Sequence, residues 1–162
     1  MPSTKHEKEP NFLSNAVEVQ TSVTVQRDQE SVWSILADVE KQPEWMHDAL
    51  SIEVLDEGPI GVGTRMRVPT QILFFRTVDF MEVTEFEPHH RWTVIHRGAV
   101  TGQGTFLLQP AADGHSTLVE WHEKLAAPLG PLGRLGMTVM KPILRRQFQS
   151  NLERFRALCE GT

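Results

Sequence analysis

Pro43-Glu44-Trp45, then Ser51-Ile52-Glu53-Val54-Leu55-Asp56-Glu57, then Gly58-Pro59-Ile60-Gly61-Val62-Gly63-Thr64 and Arg65-Met66-Arg67-Val68, is the stretch that decides the fold. It sets short helical turns ahead of two strands joined by a turn whose three glycines permit positive φ. Upstream, Val17, Val19, Thr21, Val23 and Val25 alternate with Glu18, Gln20, Ser22 and Thr24, the period of a strand with one buried face. Asp28 then caps a helix whose apolar positions Val32, Ile35, Leu36 and Val39 recur at three and four residues, with Trp33 beside them. Pro43 ends that helix or opens a second short one holding Trp45 and Met46.

Downstream of the quoted stretch, whose own strands fall near 51–56 and 64–70, strand-like runs follow at 73–86, 91–97, 101–109 and 117–125. Their separators, Glu87-Pro88-His89, Gly98 and Ala112-Asp113-Gly114, have turn chemistry and are short enough for antiparallel neighbours. Seven strands result. From 131 to 159 the period becomes helical: Leu132, Leu135, Val139, Met140, Ile143, Leu144, Phe148, Leu152, Phe155 and Leu158 form one stripe, opposite Arg134, Lys141, Arg145, Gln149, Glu153 and Arg156. Pro142 kinks this helix or begins its main segment; in the second case the segment is about 27 Å long, matching strands of about eight residues.

The 162 residues suffice for one domain, 17–162, behind a polar N-terminal arm, 1–16, expected to be mobile. An excess of five acidic charges argues against nucleic acid as a partner. The single cysteine, Cys159, has no disulfide partner and fits a reducing, cytoplasmic setting. No apolar run in 1–16 has the length of a signal-peptide core, and no later stretch reaches the roughly 20 apolar residues of a membrane span, so the chain reads as soluble and unexported. The seven histidines show no His-x-x-x-His or His-Glu-x-x-His spacing, and no Gly-Lys-Ser or Gly-Lys-Thr follows the glycine turn. Neither a metal nor another cofactor is expected.

Val32-Trp33, Pro43-Glu44-Trp45, Gly61-Val62-Gly63-Thr64, Val83-Thr84-Glu85-Phe86-Glu87-Pro88 and Gly114-His115-Ser116-Thr117-Leu118-Val119-Glu120-Trp121 stand in this order. On these residues the chain, over about 17–158, resembles the polyketide cyclase/dehydrase and lipid-transport family of the START-related (SRPBCC) superfamily. The resemblance implies an α+β helix-grip fold in β-α-α-β6-α order. In it a seven-stranded antiparallel sheet curls around the long C-terminal helix and encloses a cavity. The aromatics Phe74, Phe75, Phe80, Trp92, Phe106 and Trp121 supply apolar walls of the kind small-molecule pockets use, and Met140, Leu144 and Phe148 come from the helix stripe.

Strand parity selects the polar candidates. Val119, Trp121 and Glu123 share a face, as do Trp92, Val94 and His96; taking the aromatic side as inward brings Glu123 and His96 into the pocket, with Gln103 and Asp79 as weaker additions. A bulge near Gly102 or Gly104 would reverse these facings. Three readings stay open. The first is binding of a hydrophobic small molecule, such as a lipid, polyketide or aromatic metabolite, in a monomer or homodimer. The second is a cyclase or dehydratase using Glu123 and His96 as base and acid, and the third a protein-interaction module with a collapsed pocket. The cations Lys141, Arg145, Arg146, Arg154 and Arg156 read as a solvated helix face, with at most transient membrane contact. The segment 128–136, rich in Gly, Pro and Leu, reads either as an apolar flap at the pocket entrance or as a plain strand-to-helix connection.

Overall fold

The computed structural model describes residues 16–162 other than Leu73 and Ala99. The arm expected over 1–16 therefore lies, except for Ala16, outside the described residues. The elements run β1 (Val17–Val25), α1 (Gln29–Leu36), α2 (Gln42–Trp45), β2 (Glu53–Val54), β3 (Arg65–Ile72), β4 (Phe75–Glu87), β5 (Arg91–Arg97), β6 (Thr101–Pro110), β7 (Thr117–Ala126) and α3 (Gly130–Glu160). The strands form one antiparallel sheet in the order β1-β7-β6-β5-β4-β3-β2, with α3 lying along β1 and β7.

Each boundary has a local cause. Asp28 caps α1 by accepting from the Ser31 amide at 2.9 Å, which also holds its carboxyl below the usual range. Pro43 opens α2 rather than ending α1. β2 is only two residues long where six were expected, because the chain next to it departs from strand pairing; beyond β2 the β3 edge is partly closed by Leu50 N donating to Pro69 O and Gln71 N to Asp48 O. Gly58 and Gly63 both take positive φ in the loop between β2 and β3, as the turn chemistry requires.

Strand parity holds from β5 through β7 without interruption, so neither Gly102 nor Gly104 sits at a bulge. The bulge falls instead on β4, between Val83 and Glu85, and flips parity there: Val83 is buried, and three residues on Phe86 packs against Trp33 and Trp92. The inner face then reads in rungs. Thr21, Trp121, Phe106, Trp92 and Phe86 make one; Val19, Glu123, Gly104, Val94 and Val83 the next; Val17, Leu125, Gly102, His96 and Met81 the third.

The aromatic rung is solid core. Trp45 of α2 packs on Phe106, Trp121 and, with centroids 4.9 Å apart, Phe155 of α3, while Trp121 meets Phe148 at 4.6 Å. Burial of each such side chain contributes roughly 1.5–3 kcal/mol.

α3 departs from expectation in two ways. It runs unbroken for 31 residues, about 46 Å at roughly 1.5 Å per residue, with Pro142 inside it. The proline removes one hydrogen bond, that to the Thr138 carbonyl, on an exposed stretch of helix, and the helix continues. Its apolar residues also split between two faces. Met137, Leu144, Phe148, Leu152 and Phe155 are buried, whereas Leu132, Leu135, Val139, Ile143 and Leu158 are exposed. The segment 128–136 is not a loop flap: from Gly130 it is helix, and Gly133 passes so close to the chain before it that an added Cβ would lie 1.9 Å from the Pro128 carbonyl oxygen.

Candidate functional site

Below the aromatic rung the inner face changes character, because β6 contributes two glycines there. Gly104 faces Glu123 and Gly102 faces His96, and the missing side chains let both polar groups lean across β6. A Cβ at position 104 would lie 2.4 Å from Glu123 Oε1 and 3.1 Å from His96 Nε2. Glu123 is 4 % exposed and the His96 side chain 14 %. Their Nε2 and Oε2 atoms stand 3.4 Å apart as an ion pair, and neither atom has a hydrogen-bond partner. Glu123 Oε1 is held separately, accepting from Trp121 Nε1 at 2.7 Å.

Two further carboxyls border this pair. Asp79, on the inner side of β4, lies over Gly98, where an added Cβ would collide with its Oδ1, and that oxygen is buried without a hydrogen bond. Asp48, between α2 and β2, accepts from Asn151 Nδ2 of α3, and the Asn151 Oδ1 accepts in turn from the His47 amide at 3.3 Å. Both Asp48 and Asn151 are buried.

The electrostatics follow from the crowding of acids around one imidazole. Burial disfavours the charged form of His96, but Glu123 first, then Asp79 and Asp48, outweigh it and raise its pKa above the ordinary value. Burial raises the pKa of Asp48, opposed by the Asn151 hydrogen bond, and burial likewise raises that of Asp79, opposed by His96. An imidazole holding its proton beside carboxyl oxygens that lack donors can bind a polar group of a ligand or exchange a proton with it. Among the described residues, no three of His, Cys, Asp and Glu are placed to hold a metal ion.

The structure thus brings Glu123, His96 and Asp79 together. Gln103 does not join them, because its register partners Ile95 and Lys124 place it on the outer face. Phe80 is likewise outward, 48 % exposed, since β4 parity pairs it with Arg67 and Arg97. Phe74 sits in the turn between β3 and β4 and is 80 % exposed. Trp92, Phe106, Trp121, Leu144 and Phe148 are inward and packed into the core, and Met140 is half-buried against it. Asp48 and Asn151 were missed by the sequence reading. Asn151 carried a signal, a polar residue on the helix face shared by Phe148 and Phe155, whereas Asp48 lies in an irregular segment with no period to place it.

A groove of about 490 Å³ lies elsewhere, between β1 and α3. There Lys141, Arg145 and Gln149 face Glu18, Gln20 and Glu120, none of them a member of the interior cluster.

A sheet of seven antiparallel strands gripping a long C-terminal helix, with a polar cluster on an otherwise apolar inner face, defines the helix-grip class. The chain belongs to the family described as polyketide cyclase / dehydrase and lipid transport, which it matches over residues 16–160. No curated protein matches it in sequence. Among solved structures it is similar to a protein of Thermus thermophilus, at 18 % identity and a TM-score of 0.75, covering 88 % of this chain and 97 % of that one. The Zhui aromatase/cyclase from a Streptomyces species superposes with a TM-score of 0.73 at 17 % identity, over 90 % and 94 % of the two chains. A START superfamily protein from Mycobacterium smegmatis gives 0.63 at 18 % identity, over 89 % and 94 %. At such identities the likeness establishes the shared fold.

Proposed function

We propose that the protein binds a hydrophobic small molecule, a lipid, polyketide or aromatic metabolite, between its sheet and α3, with His96 and Glu123 as the polar anchor. One observation carries this reading: a buried imidazole–carboxylate pair whose facing atoms have no hydrogen-bond partner, set on an inner face that two glycines keep low. Buried polar groups are normally satisfied, so a cluster that leaves Nε2, Oε2 and the Asp79 Oδ1 open is suited to a ligand's polar end. Apolar burial supplies the affinity, at roughly 25 cal/mol per Å². Trp121 donates to Glu123, which makes indole fluorescence a reporter of the site. Titration of the intact protein with fatty acids, flavonoids and polyketide-like aromatics should shift Trp emission at micromolar ligand, and Glu123→Gln or His96→Ala should weaken that binding. Emission that stays unchanged across the panel overturns the reading.

A second reading, a cyclase or dehydratase, is favoured by the same imidazole, its pKa raised by Glu123 and Asp79 close by in spite of burial. In that case Glu123→Gln and His96→Ala each abolish turnover of a polyketide-like substrate while leaving its affinity within a few fold.

A further inference from the structure

The interior cluster holds more acceptors than donors, and that imbalance sorts the ligands it can take. Two of its open atoms are carboxyl oxygens, Glu123 Oε2 and Asp79 Oδ1; the third is His96 Nε2. Register fixes their neighbourhood. Met81 pairs with His96, while Asp79 stands two residues from Met81 on the same face and lies over Gly98, so Asp79 and His96 are diagonal neighbours across β4 and β5. Glu123 meets the imidazole from the other side, across Gly104. Its aim is fixed, because Trp121 Nε1 holds Oε1 and leaves Oε2 turned to the imidazole at 3.4 Å.

No buried cation from elsewhere evens the balance. Among the described residues no lysine or arginine is buried, and Arg154, which touches Asn151 Oδ1 at 3.5 Å, is itself exposed. Three carboxyls, those of Glu123, Asp79 and Asp48, therefore share one imidazole. Of these, Asp48 already has a donor in Asn151.

Each kind of polar end meets this set differently. A carboxylate carries only acceptors: it can take a hydrogen bond from the imidazole, but it sets its lone pairs against Glu123 Oε2 and Asp79 Oδ1 and adds a fourth carboxyl to the cluster. An ammonium has donors alone and leaves the imidazole unanswered. A hydroxyl has one hydrogen to give and lone pairs to receive. Because Nε2 and Oε2 stand 3.4 Å apart, one oxygen placed about 2.8 Å from each can donate to the carboxylate while accepting from the imidazole. An ether oxygen at the same place only accepts.

We propose that the interior site takes the hydroxyl of an otherwise apolar alcohol or phenol between His96 and Glu123, and discriminates against a carboxylate on the same frame. This deepens the binding reading above and rests on it, since it names the polar end that the anchor accepts.

The test is calorimetric titration of the intact protein near neutral pH with two matched sets. One is decanol, decyl methyl ether, decanoate and decylamine; the other is naphthol, methoxynaphthalene and naphthoate. In the frame that binds, the hydroxyl should bind at least about tenfold tighter than the carboxylate or the ether, which leave a buried acceptor without a donor. Glu123→Gln puts an amide donor where the carboxylate stood, so it should weaken hydroxyl binding and bring the hydroxyl-to-carboxylate ratio below about threefold. Asp79→Asn, at a less buried position, should narrow the ratio in the same direction and serves where Glu123→Gln lowers the Tm. A general loss of packing would weaken every ligand of a set alike and leave the ratio unchanged. A carboxylate, ether or decylamine that binds as tightly as the alcohol, or a ratio that neither variant alters, overturns this proposal and leaves the binding reading in place. No heat and no change in Trp emission from either set overturns both, and assigns the open atoms to buried water.

Discussion

Gly102 and Gly104 stand on the same face of one strand, yet alanine should act differently at each. At Gly102 the new methyl would lie 2.4 Å from the Lys124 carbonyl oxygen, so β6 and β7 themselves would have to part. At Gly104 it meets the end of a side chain, Glu123 Oε1. Strand glycines commonly gain stability on conversion to alanine; Gly102→Ala should instead cost about 1–3 kcal/mol in urea unfolding, the range of overpacking. Gly104→Ala should leave the fold cooperative but unseat Glu123 from Trp121 Nε1, visible as altered Trp emission without ligand. Asn151 acts at the same scale. Asn151→Leu leaves the buried Asp48 carboxyl without its donor, and a loss of about 1–3 kcal/mol is expected. An Asn151→Leu protein as stable as its parent would show that Asp48 finds another partner or water.

Among the elements, those whose burial is one-sided were legible and those set by distant contacts were not. β1 alternates strictly and is found where its period put it, and β5 has the residues expected of it. The inward facing of Glu123 and His96 followed from the same parity, because β5, β6 and β7 run in register without a bulge. β4 could not be read so far: its bulge at Thr84 has no glycine or proline to announce it. The helix stripe misled for a related reason. Periodicity reports that a face is apolar, and α3 has two such faces, only one of which meets the sheet. The buried one makes α3 indispensable, since Leu144, Phe148, Leu152 and Phe155 cover the inner face of β1 and β7 and cap the aromatic rung. A chain ended after Gly136 should fail to fold, giving no cooperative thermal transition and a broadened amide spectrum; a monomeric fragment melting near the intact protein would contradict this.

For the whole molecule, the cluster of acids around His96 couples folding to pH, and the sign can be worked out. The unfolded His96 titrates near 6.5, and in the fold Glu123, Asp79 and Asp48 raise its pKa in spite of burial. A raised imidazole pKa means that the native state binds the proton more tightly. Its stabilising effect is complete below about pH 6.5 and is lost as pH rises through the folded value. The acid range is mixed. Asp48 and Asp79, raised by burial, make the fold less stable as pH climbs from about 3.8, while Asp28, Asp56 and Asp113 are lowered and act the other way; Asp113, held by Ser116, lies at about 2. Above pH 6.5 His96 contributes a falling slope of its own, which His96→Gln isolates, and Cys159, pushed up to about 12 by burial, adds another only above about pH 9. Urea midpoints should decline as pH is raised from 6.5 and level off once His96 has lost its proton. His96→Gln keeps the side chain polar but removes the titration, so its midpoint should stay level across that window. If the variant declines in parallel with its parent, another group holds the proton and His96 is not the centre of the cluster. If the parent shows no decline, the carboxyls do not overcome the burial of the imidazole, and the site at neutral pH holds a neutral acceptor where the present reading places a donor.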